Sequence, residues 1–398
     1  MSETKVRKPR ARAAASGGAA PAPAATLDIR IGNRAFAAVL ARAGGFVARG
    51  GTLPILNCVA LTATGGRLTV ESSNLEQALR QTVPISGAGA GGGCVDWDKL
   101  ISVVRRLPPE GETTLEFTGA ALIVRCGVAR VTIGLWPLSD FPVFTLPLSA
   151  GTSFAMPAPK LADMLARVAY AISQEQTRFY LCGVSVTVRG AGDEARLRIA
   201  ATNGNDMAVI KTPLPPGADS VPDIIIPAPA VSEMERLLRG ADTVDLMITQ
   251  TALVATVGDT VLLTKLIAAT FPDYDRVIPP PGPYRLTVDG PALVEVIGLA
   301  SLFSQDEKRK PWVRLTMSED KVGVSGGEGN DQIVSELPEG SFEYEGEKAT
   351  IMFTAASLIE PAKVAKGRLT FAFAAEAPFL VSDEGDETAI YVSGPMRG

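Results

Sequence analysis

The segment NRAFAAVLARAGGFV, residues 33–47, decides the fold because similar stretches occur twice more along the chain. They are APKLADMLARVAYAIS at 158–173 and DGPALVEVIGLASLFS at 289–304. Aligned on Phe36, Leu161 and Leu293, the copies are spaced by 125 and then 132 residues. Apolar residues recur in each at intervals of three and four, which is the spacing of one helix face. A repeat of this length predicts three domains of the same construction.

Each of these helical stretches is followed by alternating apolar and polar residues with Gly, Asp or Glu at the turns, which predicts β-hairpins. A second helical stretch then appears in each copy, and further alternating runs follow it. The second stretches are DWDKLISVVRRLP at 96–108, PAPAVSEMERLLRG at 227–240 and TAASLIEPAKVAKG at 354–367. Apolar helix stripes and alternating strands must bury one another, so we predict α+β domains with two helices packed on an antiparallel sheet.

The predicted divisions of the chain are a tail and three domains, at 1–26, 27–150, 151–280 and 281–398. The tail is rich in Ala, Pro and Gly and carries a net charge of +4, which predicts disorder. A solubilising leader, a weak grip on nucleic acid and an organellar transit peptide remain alternative interpretations of this tail. Because the whole chain has a net charge of −5, the remaining residues carry −9.

The composition excludes several classes of function. With no histidine in the chain, imidazole metal sites and Ser-His-Asp or Cys-His catalytic systems are absent. The four cysteines are scattered without a C-x-x-C pair, so neither a zinc site nor a disulfide framework is predicted. No apolar run is long enough for a membrane span and no secretory signal is apparent, so we expect a cytoplasmic protein without a membrane partner.

Two further patterns could indicate ligand binding. Gly87, Gly89 and Gly92 have the spacing of a dinucleotide fingerprint, but no strand–turn–helix crossover surrounds them, so a loop is expected. The acidic runs MSEDKV at 317–322 and SDEGDET at 382–388 could hold a cation, or could be solvated hairpin tips. An enzyme with paired carboxylates therefore remains a rival interpretation. No P-loop occurs, and no cofactor is expected.

Five segments in order resemble the bacterial DNA polymerase III beta subunit family, the sliding clamps. They are GTLPILNCVAL at 51–61, TRFYLCGV at 177–184, AATNGNDMAV at 200–209, FPDYDRVIP at 271–279 and YVSGPMRG at 391–398. The resemblance covers the chain from about residue 27 to its end. It implies a homodimeric ring of six similar domains that encircles duplex DNA without reading its sequence, with helices inside, and that performs no catalysis.

The resemblance implies which residues line the inner wall of the ring and which residues form the dimer interface that closes it. The cations expected to face DNA are Arg34, Arg42, Arg49, Lys99, Arg105, Arg106, Lys160, Arg167, Arg236, Arg239, Lys363 and Lys366. For any one of them a solvated helix face is the alternative. The expected dimer interface uses the strand containing Val131 and the helix end at Leu302 and Phe303.

The family also implies a cleft between the second and third domains that binds a short peptide motif of DNA polymerase III, the clamp loader and repair polymerases. The matching residues are Arg178, Tyr180, Leu181, Thr202, Gly204, Met207, Pro272, Arg276, Val277, Val392, Pro395, Met396 and Arg397. For the apolar members, plain core packing is the alternative.

Several residues depart from the family's usual cleft sequence. Asn203, Asn205, Asp206, Gly394 and Gly398 differ from the residues that the family usually has there. We expect Asp206 to lie at the cleft rim and to disfavour acidic peptides, so that Asp206→Arg strengthens their binding. A divergent accessory clamp or a clamp-like scaffold that is not loaded on DNA is the alternative function.

Overall fold

The computed structural model describes residues 27–50, 52–88, 90–142, 151–304, 311–328, 331–374 and 377–394. The basic tail and the cleft residues Pro395, Met396 and Arg397 lie outside these ranges, as does Gly398. Within them the chain folds as three successive units of two helices and antiparallel strands. The predicted α+β class is therefore confirmed.

The first unit begins at Leu27. Its elements are β1 Leu27–Gly32, α1 Asn33–Ala43, β2 Cys58–Thr64, β3 Arg67–Ser73, β4 Gln77–Pro84, β5 Ser86–Ala88, β6 Gly91–Asp96, α2 Trp97–Val104, β7 Glu112–Phe117, β8 Ala121–Cys126 and β9 Ala129–Trp136. Helix α1 forms where the three-and-four spacing predicts it, and it buries Phe36, Val39 and Leu40. Helix α2 is capped by Asp96, whose carboxylate accepts a hydrogen bond from the Lys99 backbone N–H at 2.9 Å.

The second and third units repeat this order. The second comprises β10 Thr152–Pro157, α3 Ala158–Ala169, β11 Gly183–Arg189, β12 Arg196–Thr202, β13 Asp206–Pro213, β14 Ile224–Pro227, α4 Ala228–Leu238, β15 Thr243–Ile248, β16 Ala252–Val257 and β17 Thr260–Lys265. The third comprises β18 Tyr284–Val288, α5 Gly290–Ala300, β19 Trp312–Ser318, β20 Lys321–Glu328, β21 Asp331–Glu336, β22 Phe342–Glu345, β23 Ala349–Thr354, α6 Ala355–Val364, β24 Leu369–Phe373, β25 Phe379–Asp383 and β26 Ala389–Ser393. The two helices of each unit pack side by side.

Sheets run without interruption from one unit into the next. Strand β4 of the first unit pairs with β17 of the second, with Leu79 opposite Leu262. Strand β13 of the second unit pairs in the same way with β26 of the third, with Met207 opposite Val392. Shared backbone hydrogen bonds join neighbouring units more firmly than a linker alone, so the three units abut as the short connections predict.

Strand β9 of the first unit and strand β21 of the third unit each have an edge that is largely unpaired among the described residues. Among the described residues, β21 pairs only with β20 and forms the edge of a four-stranded sheet. Strand β9 pairs with β8 along its length, but its other edge meets β6 only at Trp136 and Leu135. Open edges with unpaired N–H and C=O groups are sites where another strand can add.

Candidate nucleic-acid interface and partner cleft

Four cations on or directly after the helices of the first unit are exposed and make no ion pair with a described residue. They are Arg42, Lys99, Arg105 and Arg106. Arg49 lies just beyond α1, where its guanidinium carbon stands 4.7 Å from the centre of the Trp97 ring. This cation–π contact orients the Arg49 side chain while leaving its charge available.

Most of the other predicted cations are paired with acids. Arg34 pairs with Glu110, and Arg236 with Glu233 at 2.6 Å. Lys363 pairs with Glu360 at 2.8 Å, and Lys366 with Asp386 at 3.0 Å. Lys160 is half-buried and Arg239 exposed, and neither makes an ion pair with a described residue. Only some of the predicted DNA-facing residues therefore carry a positive charge that is not already paired with an acid.

Arg167 does not face DNA, and that prediction is wrong. Its side chain is 1% exposed and lies between the second and third units. The guanidinium donates to Asp386 Oδ2 at 2.7 Å and to Tyr391 Oη at 2.9 Å, and the buried Asp383 carboxylate lies 3.6 Å away. Burial raises the pKa of Asp386, but hydrogen bonds from Thr388, Arg167 and Lys366 outweigh burial and hold it well below its usual range. Arg167 is a structural cation that joins two units.

The predicted cleft residues on β13 and β26 lie together in one apolar cluster. Met207 and Val392 are buried beside Tyr274, with Phe271 packed against them. Pro272 and Val277, on either side of Tyr274 in the chain, are exposed, Val277 by 60%. Arg276 is also exposed and pairs with Asp273 at 2.9 Å. The cluster is thus a buried floor beside an exposed apolar rim, which suits a partner with apolar anchors.

The TRFYL segment and the turn before β13 also meet at this place. The Arg178 guanidinium lies directly over Gly204, where an added Cβ would stand 2.6 Å from Nη1. Gly204 has φ of +92°, so only glycine fits here without strain. The Thr202 hydroxyl accepts the Gly204 N–H at 3.1 Å and fixes the turn. Nearby, Tyr180 is half-buried and Leu181 is buried.

Asp206 is not at the cleft rim, and that expectation is wrong. The side chain is 5% exposed, and Oδ1 accepts a hydrogen bond from Ser357 Oγ at 2.6 Å and another from Ser393 Oγ. Asn203 Nδ2 donates to Oδ2 at 3.1 Å. Both serines belong to the third unit, so Asp206 links that unit to the second. Its charge is enclosed and does not face a bound peptide.

Asp206→Ala is accordingly expected to destabilise the protein rather than to alter peptide preference. The substitution leaves two serine hydroxyls and an Asn203 amide without their acceptor, and each unsatisfied buried group costs roughly 1–3 kcal/mol. We expect the midpoint of thermal unfolding to fall by several degrees, as measured by circular dichroism. Asp193→Ala, at an exposed turn, is the control. An unchanged midpoint for Asp206→Ala would contradict this role.

Gly394 and Asn205, two of the residues expected to depart from the family's usual sequence, lie against each other. The Gly394 N–H donates to the Asn205 carbonyl at 3.0 Å. A Cβ on residue 394 would stand 2.8 Å from the Asn205 side-chain oxygen. The asparagine side chain therefore fills space that a larger residue at 394 would need.

Sequence reasoning missed three aromatic residues at the cleft. Tyr274 is part of the buried cluster, Phe271 contacts it at a ring separation of 6.2 Å, and Phe179 beside Tyr180 is 51% exposed. All three lie inside the quoted segments TRFYLCGV and FPDYDRVIP. An unusual density of aromatics in two segments of a chain with 6% aromatics was the available signal.

The residues expected at the dimer interface lie on or near the open strand edges of the first and third units. Val131 lies half-buried on β9, while Leu302 and Phe303 are 56% and 57% exposed just after α5. Within the described ranges no group of three or more Cys, Asp or Glu could hold a metal ion. No helix in that part of the chain is long and apolar enough to cross a membrane.

Three two-helix units joined edge to edge by continuous sheets, with cations on the helices, define the class of DNA sliding clamps. The family models of the DNA polymerase III beta subunit match residues 27–147 with the N-terminal domain, 155–273 with the central domain and 275–397 with the C-terminal domain. The beta sliding clamp of Caulobacter vibrioides NA1000 is 30% identical over 93% of this chain and 100% of its own. The chain belongs to the DNA polymerase III beta subunit family.

Solved structures agree with this assignment. The DNA polymerase III subunit beta of Bartonella birtlesii, solved bound to griselimycin, superposes with a TM-score of 0.87 at 28% identity, over 94% of this chain and 100% of that one. The sliding clamp of Pseudomonas aeruginosa bound to griselimycin gives a TM-score of 0.85 at 26% identity with the same coverage. The predicted family and sliding-clamp function are therefore confirmed.

Proposed function

We propose that two copies of this chain close into a ring around duplex DNA and that the cleft between the second and third units tethers replication proteins to it. The single observation that carries this proposal is the repeated edge-to-edge joint. Each joint within the chain unites the fourth strand of one unit with the last strand of the next. A second copy would complete the series at both ends.

The internal joints predict the register of the closing joint. Leu79 faces Leu262 at the first joint, within a ladder whose flanking hydrogen bonds join Thr82 to Asp259 and Lys265 to Glu76. Leu79 and Leu262 are each the third residue of their strand. The third residues of the two open strands are Ile333 of β21 and Val131 of β9. We therefore expect Ile333 to face Val131 of the other copy, in antiparallel pairing.

A phenylalanine that follows the first helix in the first and third units supports the same closure. Phe46 and Phe303 both stand thirteen residues after the start of their helices, at Asn33 and Gly290. Phe46 is 2% exposed because it packs into the joint with the second unit, whereas Phe303 is 57% exposed. A partner copy would bury Phe303 as the second unit buries Phe46.

The proposed grip on DNA is diffuse, sequence-independent and without catalysis. Arginines and lysines on helix surfaces contact phosphates without reading bases, and such contacts weaken as salt rises. The net charge of −9 on residues 27–398 would repel DNA except along the helical face. Retention would then come from enclosure, so the ring can slide.

The proposed partners of the cleft are DNA polymerase III, the clamp loader and repair polymerases, each through a short peptide with apolar anchors. Support comes from the buried floor of Met207, Tyr274 and Val392 and the exposed Val277. The proposed function is tested by comparing retention on circular and on linear DNA. A closed ring that encircles DNA should remain on the circular form and leave the linear form. A scaffold that is never placed on DNA would bind the peptides and show no such difference.

A further inference from the structure

The three units differ in one repeated position of their helices. Counted from the first residue, the sixth residue of the second helix is Ser102 in α2, Glu233 in α4 and Glu360 in α6. The ninth position is a cation in all three units, namely Arg105, Arg236 and Lys363. The second and third units therefore carry an acid three residues before the cation, and the first does not.

That acid neutralises the cation in the units that have it. Glu233 Oε1 accepts from Arg236 at 2.6 Å, and Glu360 Oε1 accepts from Lys363 at 2.8 Å. Residues three apart on a helix are neighbours on its surface, so these pairs follow from the sequence spacing. Arg105 has a serine in place of the acid, and it makes no ion pair with any residue that the structure describes.

The first helices of the three units show the same difference. Their sixth residues are Ala38 in α1, Asp163 in α3 and Glu295 in α5. At the tenth position Arg42 is exposed and makes no ion pair with a described residue, whereas Arg167 is buried among acids and Leu299 is uncharged. We summed the charges of both helices of each unit, including the residues that follow the second helix up to Arg106, Arg239 or Lys366. The net charge is +4 in the first unit, +1 in the second and 0 in the third.

Two free cations of the first unit also converge. Arg49 and Arg105 line an open hollow of about 410 Å³ beside Trp97, at the boundary with the second unit, which contributes the neutralised Arg236. Arg49 is held over the Trp97 ring, and the Trp97 Nε1–H donates to the Leu40 carbonyl at 2.7 Å. Two unpaired guanidiniums at one hollow are suited to the oxygens of a phosphate group.

We propose that each protomer holds the DNA backbone chiefly through its first unit, with a phosphate seated in the hollow lined by Arg49 and Arg105, and that the acids at the sixth position of the second helices neutralise Arg236 and Lys363 in the other two units. This inference rests on the proposed clamp function and adds to it the position of the duplex inside the ring. DNA would lie against the first unit of one protomer at a time rather than occupy the centre of the ring.

The test exchanges the acid between units in the full-length protein. Ser102→Glu gives the first unit the acid of the others, and Glu360→Ser frees Lys363. Binding of a fluorescent 30-base-pair duplex (an arbitrary length of roughly three helical turns) is measured by anisotropy across a salt series. We expect Ser102→Glu to weaken binding roughly 3- to 10-fold at low salt and to lower the salt slope by about 1 to 2, since each phosphate contact contributes about 0.9.

Two charge reversals at equivalent positions complete the design. Arg105→Glu should weaken duplex binding as Ser102→Glu does, Lys363→Glu should change it less than about twofold because Lys363 is already neutralised, and Glu360→Ser should strengthen it about twofold. Ser102→Ala, which introduces no charge, should match the wild type. Equal weakening by Arg105→Glu and Lys363→Glu would overturn the inference while leaving the clamp intact. Absence of duplex binding by the wild type would instead count against the proposed function.

Discussion

Phe303→Asp is expected to convert the protein from a dimer into a monomer of 41.6 kDa. Phe303 is 57% exposed in the single chain, although its counterpart Phe46 is buried at the joint between the first two units. Full burial of a phenylalanine contributes about 1.5–3 kcal/mol, and enclosing a carboxylate there costs more. Since the ring has two such interfaces, we expect the dimer dissociation constant to rise at least about 100-fold. Light scattering after gel filtration at about 1 µM measures the mass.

Val277→Asp provides the matched control for this experiment. Val277 has a similar exposure of 60% but lies at the cleft, away from both open strand edges. It should therefore leave the dimer mass unchanged. A Phe303→Asp variant that still runs at twice 41.6 kDa would show that closure uses another surface.

Val277→Asp should in turn weaken the binding of a clamp-binding peptide by roughly 10- to 100-fold. The exposed valine would lose its apolar contact with an anchor side chain, a loss of about 1.5–3 kcal/mol, and each 1.4 kcal/mol is a factor of ten in affinity. The measurement is a titration of a fluorescent peptide that carries one aliphatic and one aromatic anchor. The cleft is enclosed by one chain, so peptide affinity should not depend on dimer formation.

The monomeric Phe303→Asp variant is the reciprocal control for peptide binding and should retain wild-type affinity. Leu53→Asp, at an exposed position of the first unit, should also bind normally. If all three variants bound the peptide equally well, the docking site would lie outside this cleft. Loss of binding in Phe303→Asp would mean that the site requires both protomers.

The repeat and the helices could be predicted from sequence because their signals are local. The three-and-four spacing around Phe36, Leu161 and Leu293 places each helix without knowledge of the rest of the chain. The strand pairings that join the units are not local, since Leu79 meets Leu262 across 183 residues. Alternation shows that a strand exists but does not name its neighbour across a domain boundary.

The two wrong predictions have the same physical origin. Arg167 looks like an exposed cation on an amphipathic helix, and Asp206 looks like a turn residue. Their partners Asp386 and Ser393 lie 219 and 187 residues further along the chain, where no sequence spacing connects them. By contrast, the pairing of Lys363 with Glu360 is visible in the sequence as an interval of three. Local charge patterns could therefore have identified Arg236 and Lys363 as neutralised cations.

Enclosure of DNA can be tested with a ring that is locked by disulfides. Val131→Cys and Ile333→Cys place thiols opposite each other at the predicted closing joint, at the position equivalent to Leu79 and Leu262. Those two leucines form a non-hydrogen-bonded pair, in which the Cα atoms approach closely enough for a disulfide. Burial raises the pKa of Cys58 to about 11 and that of Cys94 to about 12, so these native thiols should not compete. The single-cysteine variants control for Cys126 and Cys182.

The most direct measurement mixes this variant with circular plasmid at low salt, oxidises it, and passes the mixture over a gel-filtration column at high salt. High salt removes electrostatic binding, so only an enclosing ring can remain on the DNA. We expect the disulfide-locked dimer to elute with the circular plasmid and to be released when the plasmid is linearised. A locked dimer that leaves the circular plasmid at high salt, or one that stays on the linear form, would contradict the account.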